Sequence, residues 1–399
     1  MAAKNRNQSN KPENAGAKGR SGGQGQSDSK GSHSRGSQKP APVETHPKPK
    51  AKILFCIKRR YNYGHGHGHG YGGGPDGRGI SYGLVNSCKF VANALALHGV
   101  ESKIVQLEDN SKIDKEVHDY KPTHVFVEAL WVVPDKFPVL MKYPWNRAAK
   151  WSIRLHSQIP FLGYEGISIE WIRAYMELAK HYPNVGVSAN NIRVVDEFKQ
   201  ALGLNLDYTP NIYIPDTTVT QSISKKKHID IGCFGAIRPF KGQLSQAVGA
   251  MAFAEKQGLT LYFHINSSRF ENMGESILKN LRNLFVNTRH KLVEHPWVNH
   301  EDFLEIVRKM DIVCQVSYTE TFDIVAADAA WTGIPLVASK EVEWASHFYQ
   351  CQPGDAKSIA SKLNMAWGLA PANFHVLNKI GLERHNRKAV EAWLAYLEI

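Results

Sequence analysis

Two short stretches of the sequence carry side chains suited to holding a phosphorylated ligand. The first is Gly235-Ala236-Ile237-Arg238-Pro239-Phe240-Lys241-Gly242, which follows an apolar run at 229–234 and precedes an amphipathic segment. Two cations three positions apart, between glycines and at the start of a helix, match the charges of a diphosphate and the positive end of the helix dipole. A solvated basic turn would look the same. The second stretch, 317–329, sets Glu320 and Asp328 eight residues apart. One carboxylate then falls on a strand-to-helix turn and the other two helical turns further on, where each can accept hydrogen bonds from a sugar or ribose hydroxyl.

The first half of the chain offers looser candidates. After a strand at 53–57 comes Lys58-Arg59-Arg60-Tyr61-Asn62-Tyr63 and then GHGHGHGYGGGPDGRG. Glycines at the carboxyl end of a first strand let backbone N–H groups approach phosphates, although no GxGxxG fingerprint opens a helix there and the tract also reads as low complexity. His65, His67 and His69 alternate with glycine but have no Cys or acidic partner at a fixed spacing, so no metal site is expected. His156, after a strand at 150–155, either faces a ligand or caps that strand end. Arg154 and Glu165 are weaker candidates of the same kind, since an alternating strand exposes charges on one side anyway. Glu128 is either an acceptor-side base or a polar strand end. Trp131, Trp145, Trp151, Trp171 and Phe161 can stack on a sugar or base, with core packing as the default.

Alternating short apolar runs and amphipathic segments must position these groups. Strands are expected at 53–57, 103–107, 123–128, 150–155 and 185–188, with helices at 87–98, 167–181 and 191–202, the last closed by Gly203. The rhythm restarts with strands at 229–234, 259–264, 291–293, 311–316 and 336–338. Its helices are expected at 242–257, 275–284, after the cap-like Asn299, at 322–332 and at 386–397. Strand, helix, strand alternation implies parallel sheets covered by helices. An α/β protein of two Rossmann-like domains, 51–212 and 228–375, follows, with a polar linker at 213–227 and a C-terminal helical segment at 376–399.

The 399 residues suit two domains better than one. Residues 1–50 contain no Leu, Ile, Phe, Tyr, Trp or Cys, so they cannot offset their ordering entropy, and a disordered basic tail is expected. Residues 1–52 hold eleven Lys or Arg against Glu13, Asp28 and Glu44, which puts +8 of the formal +12 there and leaves +4 for the rest. A nearly neutral globular part does not suggest a dedicated nucleic-acid groove, but a cationic arm adds salt-sensitive attraction to any polyanion. There is no signal-peptide-like apolar segment and no run of 18 apolar residues, so a soluble, cytoplasmic protein is expected. Five scattered cysteines without a CxxC read as reduced core residues.

The two ligand-suited stretches resemble the family-4 type glycosyltransferases of GT-B fold, whose second domain carries a Gly, Arg, Lys-Gly turn followed by an acidic pair spaced E-x7-E. Gly72-Gly73-Gly74, Pro210-Asn211, Asp311-Ile312-Val313 and the segment GIPLVAS at 333–339 match in family order, and the resemblance covers about 51–399. It implies two Rossmann-like domains facing a cleft, with the final helix crossing back to the first domain. Arg238 and Lys241 would hold the diphosphate of a nucleotide-sugar donor, Glu320 the donor sugar and Asp328 the ribose. Gly235 belongs to the diphosphate turn. Backbone amides around Thr321, Phe322 and Asp323 would approach the sugar or phosphates, with Gly73, Gly74 and His156 facing them from the first domain. The implied chemistry is retaining and metal-independent, with no cofactor beyond the donor substrate.

Two departures stand out: the second acid is Asp328 where Glu is usual, and Thr321 and Asp323 replace glycines common after the first Glu. The segment ETFDIVAADA at 320–329 also resembles glycosyltransferase-like proteins of tailed phages, where hydroxylated DNA bases are acceptors. A phage-encoded member would work in the host cytoplasm, and the cationic tail would agree with a DNA acceptor. The alternatives are a catalytically silent nucleotide-sugar or glycan binder, a nucleic-acid-binding protein, and a GT-B sugar-nucleotide epimerase. The oligomeric state is not readable from the sequence.

Overall fold

The computed structural model describes residues 49–61, 78–79, 82–215 and 227–399. All of them belong to one compact unit, Lys48–Ile399. Residues 1–48 of the expected tail, 62–77 with most of the Gly-His tract including Gly73 and Gly74, and 216–226 of the expected linker lie outside the described residues.

The first half alternates β1 (Ala51–Lys58), α1 (Tyr82–Ala96), β2 (Val100–Leu107), α2 (Ile113–Tyr120), β3 (His124–Glu128), β4 (Lys150–Leu155), α3 (Ser168–His181), β5 (Val185–Ala189), α4 (Ile192–Leu202) and β6 (Asp207–Tyr208). These six strands form one sheet in the order β2-β1-β3-β4-β5-β6, every neighbouring pair parallel, and Arg60–Tyr61 pairs separately with Arg78–Gly79. Ile53, Leu54, Phe55, Cys56 and Ile57 are all fully buried, because helices cover both faces of a parallel sheet and leave no side for polar residues.

The second half repeats the plan with β7 (His228–Gly232), α5 (Gln243–Lys256), β8 (Thr260–Asn266), α6 (Gly274–Leu284), β9 (Lys291–His295), α7 (His300–Val307), β10 (Ile312–Gln315), α8 (Ile324–Thr332), β11 (Leu336–Ser339), β12 (Gln350–Cys351) and α9 (Ala356–Leu369). The sheet order is β9-β8-β7-β10-β11-β12, again all parallel. Strand order reverses direction between β7 and β10, and open α/β sheets bind ligands beyond the carboxyl ends of strands at such a switch point. The loops after these two strands contain Arg238 and Lys241, and Glu320. The expected α/β architecture of two Rossmann-like sheets is therefore the observed one. All five cysteines are free and buried.

The last helix, α10 (Val376–Leu397), begins ten residues before the apolar stripe expected from 386, at the first residue of the C-terminal segment placed at 376–399. Its first half packs on the second sheet, where Leu382 is buried with Trp344, and Asn378 takes Ser346 N–H and donates to Leu336 O. Gly381 permits this contact, since a Cβ there would lie 2.2 Å from Trp344 O. Its second half packs on the first sheet: Trp393 lies edge-on to Phe55 at 6.2 Å and 4.9 Å from Phe126, and its indole N–H donates to Pro210 O at 2.8 Å. Two further helices escape the sequence pattern. In α2 only Ile113 and Val117 are buried, too few for a periodic stripe, and α9 packs against α5 through Gly249, where a Cβ would meet Ile359 at 2.7 Å.

Trp393 thus joins the C-terminal helix to the first sheet. Trp393→Ala is expected to destabilise the protein by about 3–5 kcal/mol through the cavity and the orphaned Pro210 carbonyl. Urea denaturation checks this, and a loss below about 1 kcal/mol would show that the helix does not depend on that contact.

Candidate functional site

After β7 the chain passes Gly235, whose φ of 110° suits a residue without a side chain, and makes a tight turn over Pro239–Lys241 before Gly242 at φ 63°. A second loop leaves β10 and carries Tyr318, Thr319 and Glu320. Tyr318 N–H donates to Phe240 O at 2.8 Å, and the buried Gln246 amide bridges Lys241 O and Val316 N–H at 2.6 and 3.0 Å. The two loops are therefore one rigid body.

Their side chains meet at Lys241. Its ammonium lies 2.6 Å from Glu320 Oε1 and 3.1 Å from Asp323 Oδ2, and all three residues are nearly buried. Burial works against the charged Lys241, but the Asp323 and Glu320 carboxylates outweigh it and hold the ammonium above its ordinary range. Burial also pushes Glu320 up, yet Lys241 and Arg238 overcome it and keep the carboxylate ionised. Asp323 moves the other way: burial and the neighbouring Glu320 charge exceed the pull of Lys241, so its carboxyl protonates more readily than a free one. Arg238 pairs with Glu271 at 3.1 Å and lies 4.9 Å over the Phe161 ring, while its buried Nε–H has no partner.

Asp323 sits at φ 64°, a left-handed conformation that costs a non-glycine residue about 1–2 kcal/mol. Its Oδ1 accepts from Ala326 N–H at 3.0 Å and caps α8, which offsets part of that cost. Phe322 is turned into the core against Trp344, whose indole N–H donates to its carbonyl at 2.7 Å. Five residues beyond Asp323, Asp328 is almost wholly buried, and its Oδ1 accepts from Tyr213 Oη at 2.6 Å and His300 Nε2 at 2.7 Å. Its Oδ2 has no partner. The residue lines a cavity of about 120 Å³ together with Gly235, Asn266, Trp297 and Phe303, among others.

From the first half, Glu128 at the end of β3 is fully buried. Its Oε2 accepts from Arg154 Nη1 at 3.1 Å and from His156 Nε2. Arg154 is also fully buried, donating to Thr209 O and Asn211 Oδ1, which corrects the expectation of a charge on an exposed strand face. Glu128 is likewise turned inward, with no part of its side chain exposed. Burial pushes its carboxyl up, but Arg154 and His156 more than compensate and the net shift is downward. Burial outweighs Glu128 at His156 and favours neutral imidazole, with Nε2–H donated to Glu128 and Nδ1 accepting from Asn190 Nδ2 at 3.2 Å.

The other Asn190 N–H donates to Thr321 Oγ1 at 3.0 Å, and Thr321 Oγ1 donates to His156 O at 3.3 Å. Asn191 Nδ2 donates to Thr321 O at 3.1 Å, and Thr319 Oγ1 to Gln158 Oε1 at 2.9 Å. Thr321 and Thr319 thus fasten the Glu320 loop to the first half. Between the halves lies a cavity of about 470 Å³ lined by His156, Phe161, Glu165, Arg238, Lys241, Arg269, Glu271, Trp297, Glu320 and Asp323 among others. Glu165 accepts from Ser168 Oγ at 2.9 Å.

The structure brings Arg238, Lys241, Glu320, Thr321, Asp323 and His156 to this cleft, and places Gly235 and Asp328 in the adjoining smaller cavity. Sequence reasoning missed Tyr213, His300, Asn190, Gln158 and Glu271, which hold the named residues from distant parts of the chain. It also missed Trp297, which a search for aromatics after β9 would have found. Among the described residues, no cluster of three or more His, Cys, Asp or Glu could hold a metal ion, and no helix is long and apolar enough to cross a membrane.

Two parallel Rossmann-like sheets facing a cleft, with the last helix shared between them, constitute the GT-B fold. A sucrose-phosphate synthase from Thermosynechococcus elongatus shares it over 87% of this chain and 98% of that one, with a TM-score of 0.59 at 14% identity. A trehalose-6-phosphate synthase gives a TM-score of 0.61 at 10% identity over 87% and 99% of the two chains. The HepE protein of Anabaena, solved in complex with UDP-glucose, gives 0.56 at 16% identity over 86% and 100%. At such identities the likeness is one of fold. No protein family description and no curated protein sequence matches the chain.

Glu128 contributes to stability as a carboxylate, because its folded pKa lies below the unfolded one; that contribution is full above the unfolded pKa and lost on acidification. Arg154→Met leaves this carboxylate buried without its guanidinium partner, at an expected cost of about 3–5 kcal/mol near pH 8. Its carboxyl pKa then rises, so the penalty shrinks toward pH 5. Chemical denaturation at both pH values checks this, and an equal loss at both would contradict the assigned charge state.

Proposed function

We propose that the chain is a glycosyltransferase that moves a sugar from a nucleotide-diphosphate donor to a hydroxyl acceptor. One observation carries the reading: Arg238, Lys241 and Glu320, from loops at the switch point of the second sheet, form one wall of a cleft whose other wall holds His156. The cleft volume of about 470 Å³ suits a ligand of nucleotide-sugar size. In this reading Lys241 and the unpartnered Nε–H of Arg238 hold the diphosphate and stabilise its departure, and Glu320 accepts hydrogen bonds from the sugar hydroxyls. Asp328 Oδ2 accepts from a ribose hydroxyl in the smaller cavity, beside Trp297.

Transfer with retention and without a metal completes the proposal. The departing diphosphate takes the acceptor proton, so the protein contributes position and electrostatics rather than a nucleophile. The domain division at 212 and 228 belongs to the same reading, with acceptor binding assigned to the first half. For the acceptor, a hydroxylated DNA base is the case to test, on the strength of the cationic residues 1–52. Binding of the full chain to duplex DNA would then fall steeply between 50 and 200 mM salt, on the order of 10³-fold for six or more phosphate contacts. A second reading, donor binding without transfer, is favoured by the pairing of Lys241 with two carboxylates instead of one.

Thermal-shift titration with UDP-, GDP-, ADP-, CDP- and TDP-sugars without metal tests the donor class. One class is expected to raise the melting temperature, and Lys241→Ala to abolish that rise. Glu320→Gln is expected to retain binding but lower turnover by about 10²–10³-fold. Full turnover in both variants would overturn the placement of the donor, and binding with no turnover in the wild-type chain would favour the second reading.

A further inference from the structure

The described part of the large cleft is lined by three cations, Arg238, Lys241 and Arg269, and four carboxylates, Glu165, Glu271, Glu320 and Asp323. A diphosphate diester brings two more negative charges. Arg238 and Arg269 both pair with Glu271, at 3.1 and 2.7 Å. Among the described residues the charge balance is therefore unfavourable for the proposed donor unless one carboxylate is neutralised.

Asp323 is the residue placed to be neutralised. Its two oxygens occupy two partners that also attract phosphate: Oδ1 takes an N–H of the first turn of α8, and Oδ2 takes the Lys241 ammonium. Glu271 pairs with Arg238 and Arg269 and Glu320 with Lys241, whereas Asp323 pairs with Lys241 and caps α8 from a backbone conformation of φ 64° that favours glycine. The charged and titratable groups around it are Lys241 from the turn before α5, Glu320 from its own loop with Arg238 beyond it, and the Cys233 thiol after β7. Burial pushes that thiol up to about 12 and keeps it neutral.

We propose that Asp323 is a built-in counter-anion at the diphosphate position, and that capture of a diphosphate donor requires a proton on it. This rests on the donor reading above. In the empty cleft Asp323 neutralises Lys241. When a donor arrives, its phosphate oxygens take over the ammonium, and Asp323 Oδ2 takes one proton from solvent while Oδ1 continues to cap α8. The direction agrees with the carboxyl's readiness to protonate, which burial and Glu320 cause. Donor affinity therefore rises as pH falls, and the residue at 323 sets both its size and its pH dependence.

Isothermal titration of the full chain with UDP-glucose, ADP-glucose and GDP-glucose at pH 6, 7 and 8 tests this. Both phosphates of these probes are esterified, so their charge stays constant across the range. For the wild-type chain the best-bound probe is expected to tighten by up to about tenfold for each pH unit lowered. Asp323→Asn preserves the helix cap and tolerates positive φ, so it isolates the charge. It is expected to bind about tenfold more tightly at pH 8 and to lose the pH dependence. Asp323→Ser, which also caps, is expected to behave alike and covers the case in which the Asn variant does not fold. If the wild-type chain binds a probe but both variants bind it no better and with the same pH profile, the role of Asp323 is overturned and the donor reading stands. If no probe binds to any of the three proteins, the donor reading and this inference fail together.

Discussion

A lysine ammonium cannot be buried without an anion beside it, and this constraint organises the second half of the molecule. Lys241 meets it with Glu320 and Asp323, which arrive on a loop from another strand. The two loops must then hold a fixed relative position, because an uncompensated buried charge costs about 3–5 kcal/mol. Gln246 fixes that position by bonding to both backbones, and Gly242 lets the first loop turn into α5 at φ 63°. The strand order brings the two loops together: β7 and β10 are neighbours in the sheet although about eighty residues separate them in sequence.

The same loop also reaches across the cleft. Thr319 and Thr321 bond to Gln158, Asn190 and Asn191, and the Arg193 guanidinium pairs with Glu341 at 2.7 Å. With α10 packed on both sheets, the two halves are held around the cavity by polar contacts at its mouth and apolar contacts behind it. These polar contacts are individually modest, so opening of the cleft would cost far less than unfolding of either sheet. The departures from glycine at 321 and 323 thus have distinct physical consequences. The first adds an interdomain hydrogen bond, and the second adds a carboxylate on Lys241, which in the proposed donor reading is the diphosphate position.

Much of this was legible in the sequence because parallel strands are buried on both faces and read as unbroken apolar runs. The sheets and most of the helices were accessible on that basis, and the grouping of Arg238, Lys241 and Glu320 through the resemblance to GT-B glycosyltransferases. Other features depend on partners remote in sequence, which spacing cannot reveal. Arg154 reads as a surface charge until Glu128, Thr209 and Asn211 close around it. The first half of α10 carries no expected apolar stripe, and its close approach to Trp344 through Gly381 is set by the fold. Asp328 reads as an open carboxylate, and only the fold brings Tyr213 and His300 to one of its oxygens. Its other oxygen has no partner.

The most direct measurement is a crystal structure of the chain with a nucleoside diphosphate bound. The account predicts phosphate oxygens at about 2.7–2.9 Å from Lys241 Nζ and from the Arg238 guanidinium, a ribose hydroxyl on Asp328 Oδ2, and Asp323 no longer paired with Lys241. A nucleotide bound elsewhere, or bound in the cleft with the Lys241–Asp323 pair intact and no phosphate on Lys241, would contradict it.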